Sequence, residues 1–382
     1  MMESRREFIR MTALAGAGAM VGGCGTLGGR APAIAGDFAW GALLHLGFNM
    51  WGDWTFDGKY PRTPEEAAKT AKPPEFRKNG SLGNRQLCDY VAADMPTWNA
   101  VTGCMQKEGL NLVLIDVGEA YAFPSHPEIW VNGAWDADKM RAELNRLRGM
   151  GLEPIPKLNF STGHDIWLKQ YHYMTSTKKY YQVVADVIRD VCEVFDRPRY
   201  FHLGFDEETP AAVKNRALAV IRQGELWWHD FNFCVKEVER SGARAMLWSD
   251  MICAGKEAFL KRMSKDVVQM PWYYGTNFTE KGVTWMPEFE KKTDWSVQRN
   301  LAASIGVLSD AGYDVIPCTS NWSSDKASEA MIAYCKGRVP AKQLKGFLTA
   351  PWFMTLACQR QKLEEGVRLF AEAKRKIYPS RG

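Results

Sequence analysis

Three consecutive carboxylates, Asp206-Glu207-Glu208, close a short apolar run at 199–205 and stand just before Thr209-Pro210. That Thr-Pro pair suits the N-cap and first residue of a helix. A strand that ends on acidic residues and feeds a helix is how α/β barrels present catalytic groups at the C-terminal ends of their strands. Neighbouring side chains on an extended chain point to opposite sides, so Asp206 and Glu207 are expected in different surroundings. One such carboxylate can stay ionised while the other, desolvated, keeps its proton and acts as an acid. The same triplet also reads as an acidic helix N-terminus favoured by the dipole.

The elements that would position these groups can be counted. Short β-rich apolar runs occur at 41–48, 110–117, 152–160, 200–205, 244–248, 267–273, 313–319 and 346–350. Helix-like segments with apolar residues at i, i+3 and i+4 lie between them, among them 140–150, 180–195 and 363–373. Asp136 is placed to cap the first of these and Gly151 to close it. Eight βα units predict a (β/α)8 barrel in one domain, 38–382. An open doubly wound sheet is the alternative, but the glycine-rich phosphate turn expected after its first strand is absent from the sequence. The long connection at about 50–96 is rich in Pro and Gly and reads as an insertion at the active-site face.

In such a barrel the strand C-termini bring together His45 and Asn49, Asp116 and Glu119, Asn159 and His164, Asp206 to Glu208, Trp248 and Asp250, Trp272 to Tyr274, Asn321 and Trp322, and Trp352. Carboxylates, histidines and tryptophans then converge on one mouth. His202 reads equally as a structural histidine inside the barrel and as part of the site. The chain has 15 tryptophans, and aromatic platforms of this kind suit a carbohydrate substrate. Trp227-Trp228-His229 reads as helix packing. His45 and His164 lie on different strands and no His-x-His follows the first strand, so a metal-dependent amidohydrolase is not expected, and the site is expected to work with neither metal nor cofactor.

The formal charge of +5, about +4 without the first 23 residues, is too small and too mixed to indicate nucleic-acid binding. Residues 1–23 read as an export leader. Ser4-Arg5-Arg6-Glu7-Phe8-Ile9-Arg10 resembles a twin-arginine signal, and an apolar region too short to span a bilayer follows it. Val21-Gly22-Gly23-Cys24 resembles a lipobox, which would leave Cys24 lipidated and 24–37 as a linker. Ordinary cleavage near 31–35 is the alternative. Either route predicts an exported protein, periplasmic or at the cell surface, touching the membrane only through a lipid on Cys24. The other eight cysteines show no CxxC and no zinc spacing.

From about residue 110 to 355 the chain resembles the family 20 glycoside hydrolases, the β-N-acetylhexosaminidases and their relatives. His202-Leu203-Gly204-Phe205-Asp206-Glu207 is similar to the family's strand-4 signature His-x-Gly-Gly-Asp-Glu, departing at Phe205. Leu110-Asn111 with Glu119, Ser125-His126-Pro127-Glu128, Ile155-Pro156-Lys157-Leu158-Asn159 with Gly163-His164, Trp248-Ser249-Asp250, and Gly346 with Trp352 resemble further family segments in order. The resemblance implies hydrolysis assisted by the substrate's own acetamide. Glu207 would be the general acid, Asp206 would orient and stabilise the acetamide, and His164 relayed to Glu119 would tune the acid. His45, Asn159, His202, Trp248, Asp250, Trp272, Tyr273, Trp322 and Trp352 would contact the substrate. The chain departs from the family at four places. The strand-1 arginine falls near Phe48, the strand-3 Glu and Asp are Lys157 and Asn159, and the strand-7 tyrosine aligns with Trp322. Phe205 stands for a glycine. Two other readings remain open: a non-catalytic glycan-binding barrel, and a glycosidase of different specificity using Asp250 as its second carboxylate.

Overall fold

The computed structural model describes residues 38–51, 88–209, 220–278 and 294–379. The export leader, Cys24, most of the 50–96 insertion and Pro210 lie outside the described residues. Eight strands alternate with helices: β1 (Ala39–His45), β2 (Leu112–Asp116), β3 (Glu153–Lys157), β4 (Tyr200–His202), β5 (Arg244–Trp248), β6 (Val268–Met270), β7 (Cys318–Thr319) and β8 (Gly346–Thr349). Among the described residues each is followed by an α-helix, in turn α1 (Met95–Lys107), α2 (Ala137–Gly149), α3 (Lys178–Val194), α4 (Gly224–Arg240), α5 (Lys256–Arg262), α6 (Asp294–Asp310), α7 (Ala327–Arg338) and α8 (Arg360–Ile377).

The strands are parallel and run in the order β6-β5-β4-β3-β2-β1-β8-β7. The two ends of that order meet through backbone bonds from Gln269 N to Asp314 O, Ile316 N to Gln269 O and Cys318 N to Pro271 O, each 2.9 Å. This closes a (β/α)8 barrel, the architecture the sequence predicts. Alternation along each strand divides the side chains between two layers. On β2, Leu112 and Leu114 join the barrel interior while Val113 and Ile115 face the helix ring. Continuous apolar runs are what parallel strands covered on both faces require.

Prolines interrupt the ladders of two of the expected strands. Glu153 N bonds back to Asn111 O of the β2 side, so the alternate residues Pro154 and Pro156 face β4 without a donor. The β3–β4 ladder is accordingly confined to Lys157↔His202. Pro317 likewise limits the run at 313–319 to Cys318–Thr319, with Val315 pairing only through isolated bridges. The helices follow their signals more closely. Asp136 accepts the Lys139 N–H at 2.8 Å, and Gly151, at φ +79°, ends the turn after α2. Trp227 and Trp228 of α4 are buried against Phe205, Phe231 and Phe259, so this pair is packing.

Candidate active site

Gly204 is the first fixed point of the site. Its φ is +76°, and a Cβ there would lie 1.9 Å from Asn159 Oδ1, so only glycine lets β4 approach the β3 loop. The chain then turns rather than extends, with φ at +64° for Phe205 and +57° for Glu207. Left-handed conformations at bulky residues are costly, on the order of 1–3 kcal/mol each, and persist where the surroundings enforce them. The Phe205 ring is held by Trp227, Phe231 and the Arg222 guanidinium. Because of these turns Asp206 and Glu207 do not diverge as neighbours on a strand would. Both line one cleft at the C-terminal end of the barrel, together with Met50, His164, Trp248, Trp272, Tyr274, Trp322 and Trp352. The cavity measures about 180 Å³, roughly six waters at ~30 Å³ each, the scale of one ring-sized group.

The two carboxylates differ in surroundings, as the sequence predicts. Asp206 is buried; its Oδ1 accepts from Asn159 Nδ2 at 2.9 Å, and its carbonyl accepts from Ser161 Oγ. Glu207 has a side chain 46% exposed to the cleft. Its backbone N–H donates to Asp250 Oδ2 at 2.9 Å. His164 Nε2 lies 3.1 Å from Glu207 Oε2 and 3.6 Å from Asp206 Oδ2, while Nδ1 lies 3.3 Å from the Met50 carbonyl. A carbonyl only accepts, so these partners assign the proton to Nδ1. The Nε2–Glu207 contact therefore shares one proton, held by the carboxyl or by an imidazolium. That is a device for moving a proton at Glu207.

Asp250 stands behind the pair. Its Oδ1 is 3.3 Å from Trp272 Nε1, and burial, with the charges of Asp206 and Glu207, pushes its carboxyl well above the usual range. Glu208, the third carboxylate, faces away from the cleft. It forms a buried ion pair with Arg222 and accepts the Thr162 N–H at 3.0 Å. Arg222 also donates to Phe160 O at 2.7 Å. The strand-4 turn is thereby tied to the β3 loop that carries His164.

Glu119 is fully buried rather than on the cleft wall. Its Oε1 accepts from Phe48 N at 2.6 Å and Asn49 N at 3.1 Å, and burial pushes its carboxyl up to about 7. The link from Glu119 to His164 thus runs through the backbone of residues 48–50. His45 and His202 lie one layer below the floor. His45 Nδ1 is 3.2 Å from Asp116 Oδ2, which also receives Lys157 Nζ at 2.7 Å. The His202 ring packs on Trp248 at 4.4 Å between centroids. Burial lowers the pKa of both histidines, that of His202 strongly, with the Lys157 charge adding to the effect. Tyr273 turns out of the cleft onto Phe278, and Tyr274 takes the lining position instead. The Tyr274 hydroxyl accepts from Trp352 Nε1 at 2.8 Å, and its ring stacks on Trp272 at 5.3 Å. Trp322 sits at the mouth, 45% exposed, against Phe353.

Sequence reasoning passed over Met50, and of the two tyrosines it brought to the mouth it chose Tyr273 over Tyr274 as the substrate contact. No local signal marks Met50, whereas Tyr274 stood next to the chosen residue and differs from it only in direction. As for a cation, His164, Asp206 and Glu207 each place one donor atom within 4.8 Å of the others.

The sequence matches no family model and no curated protein. Its fold is similar to solved glycosidase structures. A β-N-acetylhexosaminidase from Bacteroides fragilis superposes with a TM-score of 0.53 at 12% identity, over 87% of this chain and 65% of that one. A mutant β-hexosaminidase from Streptomyces plicatus, in complex with the product GlcNAc, superposes with a TM-score of 0.50 at 11% identity, over 74% of this chain and 61% of its own. The chain thus spans less than two thirds of either relative, and at such identity the likeness is one of fold.

Proposed function

We propose that this barrel is a glycoside hydrolase of the β-N-acetylhexosaminidase kind, with Glu207 as general acid and Asp206 assisting the substrate's acetamide. The observation that carries this reading is the placement of both carboxylates on one ring-sized cleft, with His164 Nε2 3.1 Å from the half-exposed Glu207. Glu207 protonates the glycosidic oxygen as the bond to C1 breaks. The acetamide oxygen of the same sugar forms the new bond to C1, giving an oxazolinium whose N–H Asp206 holds and neutralises. Water then attacks C1 as the C1–O bond to the acetamide oxygen breaks and the acetamide is restored, and Glu207 takes the water's proton, which regenerates the acid. Trp248, Trp272, Trp322 and Trp352 supply apolar faces for the sugar ring.

Asp250 is the weaker candidate for the second carboxylate. Both of its oxygens are engaged, by Glu207 N and Trp272 Nε1, and its raised pKa favours the neutral form. A neutral, tethered carboxyl is a poor nucleophile. The resemblance in fold to hexosaminidases adds support to the general class.

A panel of aryl glycosides with and without a 2-acetamido group tests the proposal. Turnover restricted to the acetamido sugars is expected. Turnover of plain glycosides alone would transfer the role to a protein nucleophile, and saturable binding without turnover would leave a glycan-binding barrel. The same reading has the chain exported and held at a membrane through a lipid on Cys24, supported by the pattern of residues 4–24. Labelled palmitate is expected to enter the wild type and not Cys24→Ser, since each buried methylene adds roughly 0.8 kcal/mol of anchoring. Equal release of both forms into the soluble fraction would remove the anchor.

A further inference from the structure

His164 follows β3, and Asp206 and Glu207 follow β4, so three donors of mixed type meet from two strand ends. The separations from His164 Nε2 to the carboxylate oxygens are 3.1 and 3.6 Å. A tetrahedral zinc ion with bonds of about 2.0–2.2 Å to nitrogen and oxygen requires ligand atoms roughly 3.3–3.5 Å apart. The two edges from His164 bracket that value, and the third, between the carboxylates, lies within 4.8 Å, so the half-exposed Glu207 side chain must draw in to complete the site. The second shell has the form of a metal site as well. The His164 Nδ1–H faces the Met50 carbonyl, which turns the Nε2 lone pair toward the carboxylates. Asn159 occupies Asp206 Oδ1 and leaves Oδ2 on the side of His164. Charge points the same way: among the described residues the cleft lining contains no lysine or arginine.

We propose that His164 Nε2, Asp206 Oδ2 and one oxygen of Glu207 bind a single Zn²⁺ ion, with the fourth position open to the cleft, and that this ion is a reversible inhibitor. One imidazole and two carboxylates suit a first-row transition ion such as zinc. Calcium prefers six to eight oxygen ligands, and magnesium prefers octahedral oxygen with retained water. The metal needs Glu207 deprotonated, whereas the acid role needs its proton, so zinc and protons compete for the same atoms. Inhibition rests on the hydrolase reading; the binding itself does not.

Calorimetric titration of the purified chain with zinc chloride tests the binding directly. One ion per chain is expected, with affinity falling as the pH is lowered. His164→Asn should abolish the stoichiometric site, and Asn159→Ala should weaken it by about 10–100-fold, as loss of an outer-shell partner does. Cobalt(II) in the wild-type chain should give the intense visible bands of a tetrahedral ion, a readout independent of any variant's folding. Absence of a stoichiometric site, equal binding by wild type and His164→Asn, or a weak octahedral cobalt spectrum would overturn the proposal. A metal-free chain that cleaves no glycoside yet binds zinc on titration would refute the hydrolase reading and leave the metal site standing, whereas activity unchanged by saturating zinc would overturn the inhibition.

Discussion

The lower and upper halves of the barrel interior come from the same strands and the same alternation, yet they are built for different purposes. In the lower half the inward positions are Leu112, Leu114, Ile155, Met246, Met270, Ile316 and Leu348, which close around a void of about 10 Å³. One inward step further along, β2 and β3 present Asp116 and Lys157, and β1 and β4 add His45 and His202, all buried. Above these open Asp206, Glu207 and the tryptophans of the cleft, about 180 Å³. Stability and chemistry are thus separated along the barrel axis, with a charged layer between them. The ion pair in that layer is costly to desolvate. Burial alone would raise the Asp116 carboxyl, but Lys157 and His45 outweigh it and hold the group down at about 2. Its geometry fixes β1, β2 and β3 directly beneath the site.

The sharpest way to break this contrast is at the top. Glu207→Gln keeps the shape but cannot donate a proton, and it should lower turnover of substrates with poor leaving groups by about 10²–10⁴-fold. Activated aryl leaving groups should suffer far less. Asp206→Asn should lose activity whatever the leaving group, because it removes the charge facing the oxazolinium. Identical dependence on leaving-group pKa in the two variants would take the acetamide role from Asp206.

The middle layer should fail by unfolding rather than by chemistry. Lys157→Met strands the Asp116 carboxylate in the interior and should cost about 3–5 kcal/mol in denaturant melts. Adding Asp116→Asn should recover part of the loss. A melt of the single variant indistinguishable from wild type would show that the layer is not electrostatically coupled.

Glu119 offers a pH test of the layer beside the cleft. Burial pushes its carboxyl up to about 7 in the folded chain, from an ordinary 4.5. Between those values the native state holds a proton that the unfolded state releases. This contribution is therefore fully present below about pH 4.5 and is lost as the pH rises toward 7, by about 3 kcal/mol. Glu119→Gln should flatten stability across that window; an unchanged slope would place the titration elsewhere.

The smallest effect belongs to the floor. Ile155→Val should cost about 0.5–1.5 kcal/mol and leave kcat/KM unchanged. A large fall in kcat/KM from that single methylene would show that the two halves are not separable.

Much of the fold was legible because barrel strands are short apolar runs and their helices are amphipathic, and both periods survive in the sequence. Arg244–Trp248 was delimited to the residue, and Asp136 caps its helix as expected. Strand length was overestimated at 313–319, where Pro317 removes a ladder donor, and the β3–β4 ladder is a single pair because Pro154 and Pro156 face β4, an effect that depends on which neighbour each residue faces. The residues of the site were legible as strand ends, but which of them face the cleft was not. Tyr273 and Tyr274 differ in direction, which only the closed barrel fixes. The direct tie between His164 and Glu119 was likewise replaced by the backbone of residues 48–50, since Glu119 accepts from Phe48 and Asn49.

What the sequence by itself determined was the alternation of eight strands with helices and the chemical inventory of their C-terminal ends, because periodicity and residue type are local properties. What only the tertiary structure decided was how Asp206 and Glu207, expected at one mouth, both come to face it while Glu208 turns away to Arg222. On an extended strand they would diverge. The left-handed turns at Gly204, Phe205 and Glu207 exist because Asn159 crowds Gly204, Arg222 and the α4 aromatics enclose Phe205, and Asp250 holds the Glu207 N–H. Those contacts join positions 17 to 45 residues apart in sequence, and no local pattern of residues encodes them.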